Sequence, residues 1–230
     1  MFYNEFLNRF SIMLTETQQD KLKNACVLVF GVGGVGSAVA NMLVRSGVTN
    51  IGIVDFDTID ITNINRQMVA NSENIANLKV DEMEKQLKNI NPNVIVSKFP
   101  IRYSEETKNN IDLEKYTYIV DCIDDMNAKK LLIKQAKQLN IPIICAMGAG
   151  NRFIGTPQFE IADIHKTSYD AVAKIIRKFC VEEGIKKLNV CYTKQQSVKI
   201  DCKTIGSVVY YVVSMACCIV SKVINDIIDN

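Results

Sequence analysis

The sequence predicts an α/β fold: a doubly wound, mostly parallel sheet with a small C-terminal lobe. Three observations predict it. Over the first 150 residues, short apolar runs alternate with segments of helical period, the order that builds a parallel sheet covered on both faces. The first run enters a glycine-rich turn, Gly31-Val32-Gly33-Gly34-Val35-Gly36. Later runs close on acidic residues, Asp55 and Asp124. Glycines and carboxylates therefore gather at the C-terminal ends of strands, where such sheets bind ligands.

Taken in order, residues 6–24 read as an N-terminal helical arm with apolar Phe6, Phe10, Met13 and Leu14. Residues 26–30 are the first strand, and the helix after the glycine turn runs to about residue 46, stopped by Gly47. The second strand, 51–55, carries Val and Ile on both faces, as a strand buried between two helical layers requires. Residues 74–91 place Ile75, Leu78, Met83, Leu87 and Ile90 at near-helical spacing, and Pro92 ends that helix. A third strand follows at 94–99, then a strand at 118–124, a helix at 127–139 and a strand at 141–147. Beyond Gly150 the pattern is less regular: a helix at 168–183, a short strand at 188–193 and a polar loop at 193–203. Residues 1–150 thus form the nucleotide-binding domain with its helical arm. Residues 151–230 form a lobe for substrate and dimerisation.

No charged residue lies between Lys203 and Lys222, a length near the lower limit for crossing a membrane. Thr204, Ser207, Ser214 and Ser221 interrupt this run, while Val223, Ile224, Ile227 and Ile228 continue an amphipathic pattern beyond it. A helix over 204–228, buried or at a homodimer interface, is expected, with membrane contact as the alternative.

The chain has 230 residues, 48% hydrophobic and 23% charged, with a net charge of only +2. Such a balance suits a soluble globular protein and does not by itself announce a nucleic-acid binder. The eight cysteines contain no Cys-x-x-Cys pair, and there is one histidine, so a structural zinc site is not indicated. Cys26, Cys122 and Cys145 lie in apolar runs, where a thiol behaves as a small hydrophobe. Reduced cysteines and the lack of a secretory signal pattern predict a cytoplasmic protein.

The glycine turn lets a phosphate approach the backbone, and the helix that follows offers its free N–H groups and positive dipole end to the anion. Asp55 at the end of the next strand sits where a ribose is held. These features alone also fit a nicotinamide-dependent oxidoreductase. The downstream residues change the balance. Asn63, Arg66 and Lys79 follow Asp55, and Asp124 closes a later strand. An arginine and a lysine facing one pocket suit a triphosphate and its pentacoordinate phosphorus, and an aspartate suits magnesium. Hydride transfer needs neither.

The Gly-x-Gly-Gly-x-Gly turn, Asp55 and Asp57, Asn63-Ile64-Asn65-Arg66-Gln67, Lys79 and Asp121-Cys122-Ile123-Asp124 together resemble the adenylating domain of the ubiquitin-activating-enzyme superfamily, over about residues 5–150. That resemblance implies a Rossmann-like domain and ATP-dependent adenylation of a carboxylate, with release of pyrophosphate. It implies that Gly31, Gly33, Gly34 and Gly36 form the nucleotide turn, with Gly34 closest to the phosphates. Asp55 would hold the ribose, and Asn63 would join the nucleotide site. Arg66 and Lys79 would stabilise the triphosphate, and Asp124 would bind Mg2+. The superfamily's N-terminal arginine, which reaches a partner subunit's ATP, has Arg9 as its one candidate.

Gly148-Ala149-Gly150-Asn151-Arg152, Thr156 and the stretch Ile161 to Thr167 resemble, more narrowly, the tRNA threonylcarbamoyladenosine dehydratase branch. The branch activates the carboxylate of threonylcarbamoyladenosine in tRNA, and a nucleophile within the modified base then displaces AMP to close a ring. No thioester cysteine is needed. By this resemblance Arg152, His165 and Lys166 lie nearest the substrate. The chain departs from the branch at Asn151, where a glycine is usual, and at Ala171-Val172, which follow Asp170 in place of Pro-Leu.

Local charge agrees with an RNA partner. From Lys166 to Lys203, nine basic residues, Lys186 and Lys187 among them, outnumber four acidic ones, a composition that binds phosphate without reading sequence. The same chemistry could instead activate the C-terminus of a ubiquitin-like sulfur-carrier protein, with a protein partner in place of tRNA. A nucleotide sensor without catalysis is the remaining alternative.

Overall fold

The computed structural model describes residues 5–202 and 204–229. Lys203, counted above in the basic stretch, lies outside the described residues. The helical arm comes in two pieces, α1 (Asn8–Ser11) and α2 (Glu16–Asn24). Thr15 splits them: its hydroxyl accepts from the Gln18 N–H while the Gln18 side chain accepts from the Thr15 N–H. That reciprocal cap starts a new helix.

Seven strands follow: β1 (Cys26–Phe30), β2 (Asn50–Val54), β3 (Ile95–Phe99), β4 (Tyr118–Asp121), β5 (Ile143–Ala146), β6 (Glu160–Asp163) and β7 (Asn189–Tyr192). They form one sheet in the order β3-β2-β1-β4-β5-β7-β6. All pairs are parallel except β6 with β7. The helices are α3 (Gly34–Arg45), α4 (Lys79–Ile90), α5 (Met126–Gln138), α6 (Ala171–Glu182) and α7 (Val209–Asp229).

Alternation along the strands divides the core into two apolar layers. Val27 and Val29 of β1 face α3, α4 and α7, while Leu28 and Phe30 face α5 and α6. Both layers cross residue 150 without a break. β6 and β7 extend the same sheet, and α7 lies on α3 and α2 with Met215, Ile219 and Val223 buried. The stretch expected as an appended lobe therefore completes the sheet and one of its faces. The Tyr118 hydroxyl donates to Asp226 at 2.7 Å, and Lys21 Nζ donates to the Ile228 carbonyl at 3.0 Å, tying α7 to β4 and α2. α7 is long and apolar enough to cross a membrane by length and composition alone, but its apolar stripe faces the sheet.

Two helices start later than their patterns suggest. The fourth begins at Lys79, because residues 74–78 are a turn in which buried Asn74 bonds to Val69 and Glu82. The last begins at Val209, because residues 204–208 have no regular structure and run along the cleft described next. β6 was not visible in the sequence: its four residues, Glu-Ile-Ala-Asp, are half-exposed and lack an apolar run.

Candidate functional site: a cleft at the strand C-termini

A cleft of about 520 Å³ opens at the C-terminal ends of β1, β2, β4 and β5. Its base is the turn from β1 into α3. Gly31 has φ +81°, a conformation glycine alone adopts without strain, and a Cβ there would stand 2.8 Å from the Cys122 carbonyl oxygen. A Cβ on Gly36 would stand 1.7 Å from the Gly31 carbonyl oxygen. The two glycines let the helix seat directly on the turn. The first N–H groups of α3 have no intrahelical partner, so they and the helix dipole face the cleft as an anion site.

Asp55 braces this turn. Its Oδ2 accepts from the Val32 N–H at 2.8 Å and its Oδ1 from the Asp57 N–H at 2.9 Å. Burial raises its pKa from the usual aspartate value, with Lys79 and the two backbone donors pulling the other way. Lys79, buried at the start of α4, pairs with Asp57 at 2.7 Å on the cleft wall. Asn63 closes a short helical turn with Asp60: its Oδ1 accepts from the Asp60 N–H while Asp60 caps the Thr62 N–H. Arg66, half-buried, donates to the Thr62 carbonyl at 2.7 Å and to Asn65 Oδ1 at 3.0 Å.

At the end of β4 three aspartates have separate fates. Asp121, fully buried, is paired with Lys129 at 2.7 Å, and Lys129 also donates to the Ala146 carbonyl. Burial pulls the Lys129 pKa down, its neighbours, Asp121 foremost, pull it up, and the net shift is upward. Asp125 caps α5 through the Asn127 and Ala128 N–H groups and pairs with Arg102. Asp124 is exposed on the cleft and has no hydrogen-bonding partner among the described residues. Cys122 also lines the cleft, and burial pushes its thiol up to about 12. A thiol so protonated is a poor nucleophile.

The cleft thus brings together Gly31, Gly33, Gly34, Asp55, Asn63, Arg66, Lys79 and Asp124. Gly36 lies beneath it as packing. Arg152 is buried behind the wall, donating to the carbonyls of Gly148, Gly150 and Gln195. His165 and Lys166 are not brought to the cleft. Antiparallel β6 carries the chain back across the sheet, so Asp163 lies beside Asn189 at the N-terminal end of β7. The following turn is held there by a His165 Nε2 contact to the Ile185 carbonyl, at 2.9 Å. Lys186 and Lys187 are exposed in the adjoining loop. Arg9 is exposed on α1, away from its own cleft.

Sequence reasoning left some wall residues without a role. Phe56 and Arg102 form a stacked pair 4.4 Å apart, and both follow the C-terminal ends of parallel strands, a position that marks ligand contacts. Gln67 keeps a buried Oε1 without a hydrogen-bonding partner among the described residues, and it lies in the motif already quoted. Ile205 and Ser207, before α7, gave no signal because the apolar run reads as helix throughout.

A ThiF family model matches residues 3–230. The tRNA threonylcarbamoyladenosine dehydratase of Bacillus subtilis strain 168 is 43% identical over 168 residues, 73% of this chain and 66% of that protein. The tRNA threonylcarbamoyladenosine dehydratase of Haemophilus influenzae is 38% identical over 157 residues, 68% of this chain and 60% of that protein. The chain thus spans less than two thirds of the length of either relative. In three dimensions it resembles the Escherichia coli tRNA N6-threonylcarbamoyladenosine dehydratase in complex with AMP, with a TM-score of 0.91 and 24% identity over 98% of this chain and 95% of that one. This last likeness bears on the fold.

Proposed function

The chain belongs to the ThiF family, and we propose that it is an ATP-dependent tRNA threonylcarbamoyladenosine dehydratase acting in the cytoplasm. The observation that carries this reading is the convergence of the glycine turn, Arg66, Lys79 and Asp124 on one cleft. The names of the two relatives above supply the substrate.

In the proposed reaction an oxygen of the substrate carboxylate attacks the α-phosphorus of ATP, and pyrophosphate leaves. A nucleophile within the modified base then attacks the acyl carbon, and AMP leaves with that oxygen, so the base loses one water. The turn and the N-terminus of α3 receive phosphate, and Asp55 faces the ribose. Arg66 and Lys79 compensate the charge that builds on the phosphoryl oxygens, the main term in such a site. Holding carboxylate and α-phosphorus in line supplies much of the rest. The high Cys122 pKa accords with a ring closure that uses no enzyme thiol.

Asp124 fits Mg2+. Among the described residues no group of three metal-ligating side chains occurs, yet Mg2+ keeps its waters and binds through one or two carboxylates plus substrate phosphates. One uncommitted carboxylate beside an anion site meets that need, and the metal would supply charge neutralisation at the phosphates. The exposed lysines around residues 165–187 would hold RNA backbone, not the reacting carboxylate. In this reading the protein works as a homodimer.

The test is AMP release by purified protein with and without tRNA carrying threonylcarbamoyladenosine, with the digested tRNA weighed by mass spectrometry. The expected result is tRNA-dependent AMP and a nucleoside lighter by one water. AMP with unchanged tRNA would replace this reading with activation of a sulfur-carrier protein. No AMP at all would overturn adenylation.

A further inference from the structure

Residues 204–208 form an irregular strap beside the cleft, and Ile205 and Ser207 line the cleft. Two asparagines hold the strap. Asn151 clasps it: the Asn151 N–H donates to the Gly206 carbonyl at 2.7 Å, and the Gly206 N–H donates to Asn151 Oδ1 at 2.6 Å. Asn151 has φ +56°, a left-handed conformation that asparagine tolerates better than most side chains. The side chain that stands where the branch has glycine thus adds a bond that glycine could not make. Gly150 makes room beside it, since a Cβ there would stand 2.3 Å from Ile205 Cγ2.

The second asparagine faces both ways. Asn65 Nδ2 donates to the Ser207 carbonyl at 2.8 Å, while its Oδ1 accepts from Arg66 at 3.0 Å. Its amide therefore cannot turn to suit the strap without withdrawing an acceptor from the guanidinium. Among the described residues the Arg66 side chain is otherwise bonded only to the Thr62 carbonyl, on a loop where Ile64 and Asn65 are themselves exposed.

We infer that Asn65 is a positioning residue for Arg66, and that the strap, clasped by Asn151, anchors it. This rests on the reading that Arg66 meets the triphosphate. The arrangement runs from Asn151 through Gly206 and Ser207 to Asn65 and Arg66, joining the segment before α7 to the phosphate end of the cleft. Exposed hydrogen bonds of this kind contribute little to global stability. Their effect falls on geometry, and a displacement of about 1 Å in a group that meets the reacting phosphates is costly.

The experiment measures ATP binding by calorimetry, together with thermal unfolding, for Asn65→Ala, Asn151→Gly, the double variant and Arg66→Ala. Asn151→Gly keeps a residue suited to the left-handed backbone and removes only the side-chain acceptor. Each asparagine variant should weaken ATP binding roughly fivefold, the scale of one ordinary hydrogen bond, with the unfolding temperature unchanged. The double variant should bind no more weakly than Asn65→Ala, because both act through one connection. Additive losses would overturn the link through the strap. Unchanged binding in Asn65→Ala, with Arg66→Ala impaired, would overturn the role of Asn65. Unchanged binding in Arg66→Ala would instead overturn the reading on which the inference rests.

Discussion

The two ends of the sheet use charge differently. At the C-terminal ends of the strands, charges are built into the fold. Asp55 braces the glycine turn, Lys79 pairs with Asp57, and Asp121 holds Lys129 under the cleft floor. Asp124 is exposed there without a hydrogen-bonding partner among the described residues. At the opposite end, beside the turn after β6, His165, Lys166, Lys186 and Lys187 are exposed. A buried charge must be paired or it destabilises the fold, so an uncommitted group among paired ones marks the chemistry. An exposed lysine carries no such information, because solvent satisfies it wherever it stands.

The contrast breaks most visibly at Lys129. Lys129→Met should lower unfolding free energy by about 3–5 kcal/mol, since it strands a buried carboxylate, and denaturant unfolding measures this. Because the Lys129 pKa is raised in the folded state, the pair's contribution is fully present below the ordinary lysine pKa. It is lost only as pH rises through the raised value. A variant as stable as the parent would mean that the floor is not held by this pair.

Asp124→Ala tests the other half of the contrast. It should cut AMP formation by roughly 10²–10³-fold, the scale of removing one electrostatic contributor to a phosphoryl transition state, with no change in unfolding temperature. Activity within a few-fold of the parent would shift the metal role elsewhere. A smaller effect belongs to the far end: Lys186→Glu with Lys187→Glu should weaken tRNA binding and reduce its salt slope by roughly two, leaving ATP affinity as it was. Unchanged RNA binding would make that edge a solvated face only.

The smallest effect is expected at Cys122. Cys122→Ser should keep AMP formation within about twofold, because a thiol with a pKa of about 12 supplies no thiolate at neutral pH. On native protein at pH 8, a thiol reagent should label exposed Cys202, whose pKa is lowered by its bonds to Thr204, before Cys122. Loss of activity in the serine variant would reinstate covalent catalysis.

The strands through β5 and the cleft residues were legible because one strand end carries both signals. A glycine turn, an acidic strand end and the Asn63–Gln67 segment are local in sequence and fall at the same end of parallel strands. Asp121 was legible as part of the motif that closes its strand. The far end was not, because a count of lysines along a chain does not say which way a strand runs. The reversal at β6 rests on four half-exposed residues without an apolar run, and it carried His165 and Lys166 away from the site expected of them. The strap was hidden for the opposite reason: Ile205 to Val208 are apolar enough to read as the first turn of α7, and only Asn151 and Asn65 show that they are held elsewhere.

The seat of Gly34 carries a consequence for how the protein comes into being. A Cβ on that glycine would stand 3.3 Å from Val212 of α7, so the outer support of the phosphate turn comes from near the other end of the sequence. A ribosome that has made β1, α3 and β2 has made every local element of the nucleotide turn and still lacks the surface against which it rests. On the proposed function, a nascent chain stalled before Val212 should therefore bind ATP more weakly than the whole chain, because its phosphate turn lacks this support.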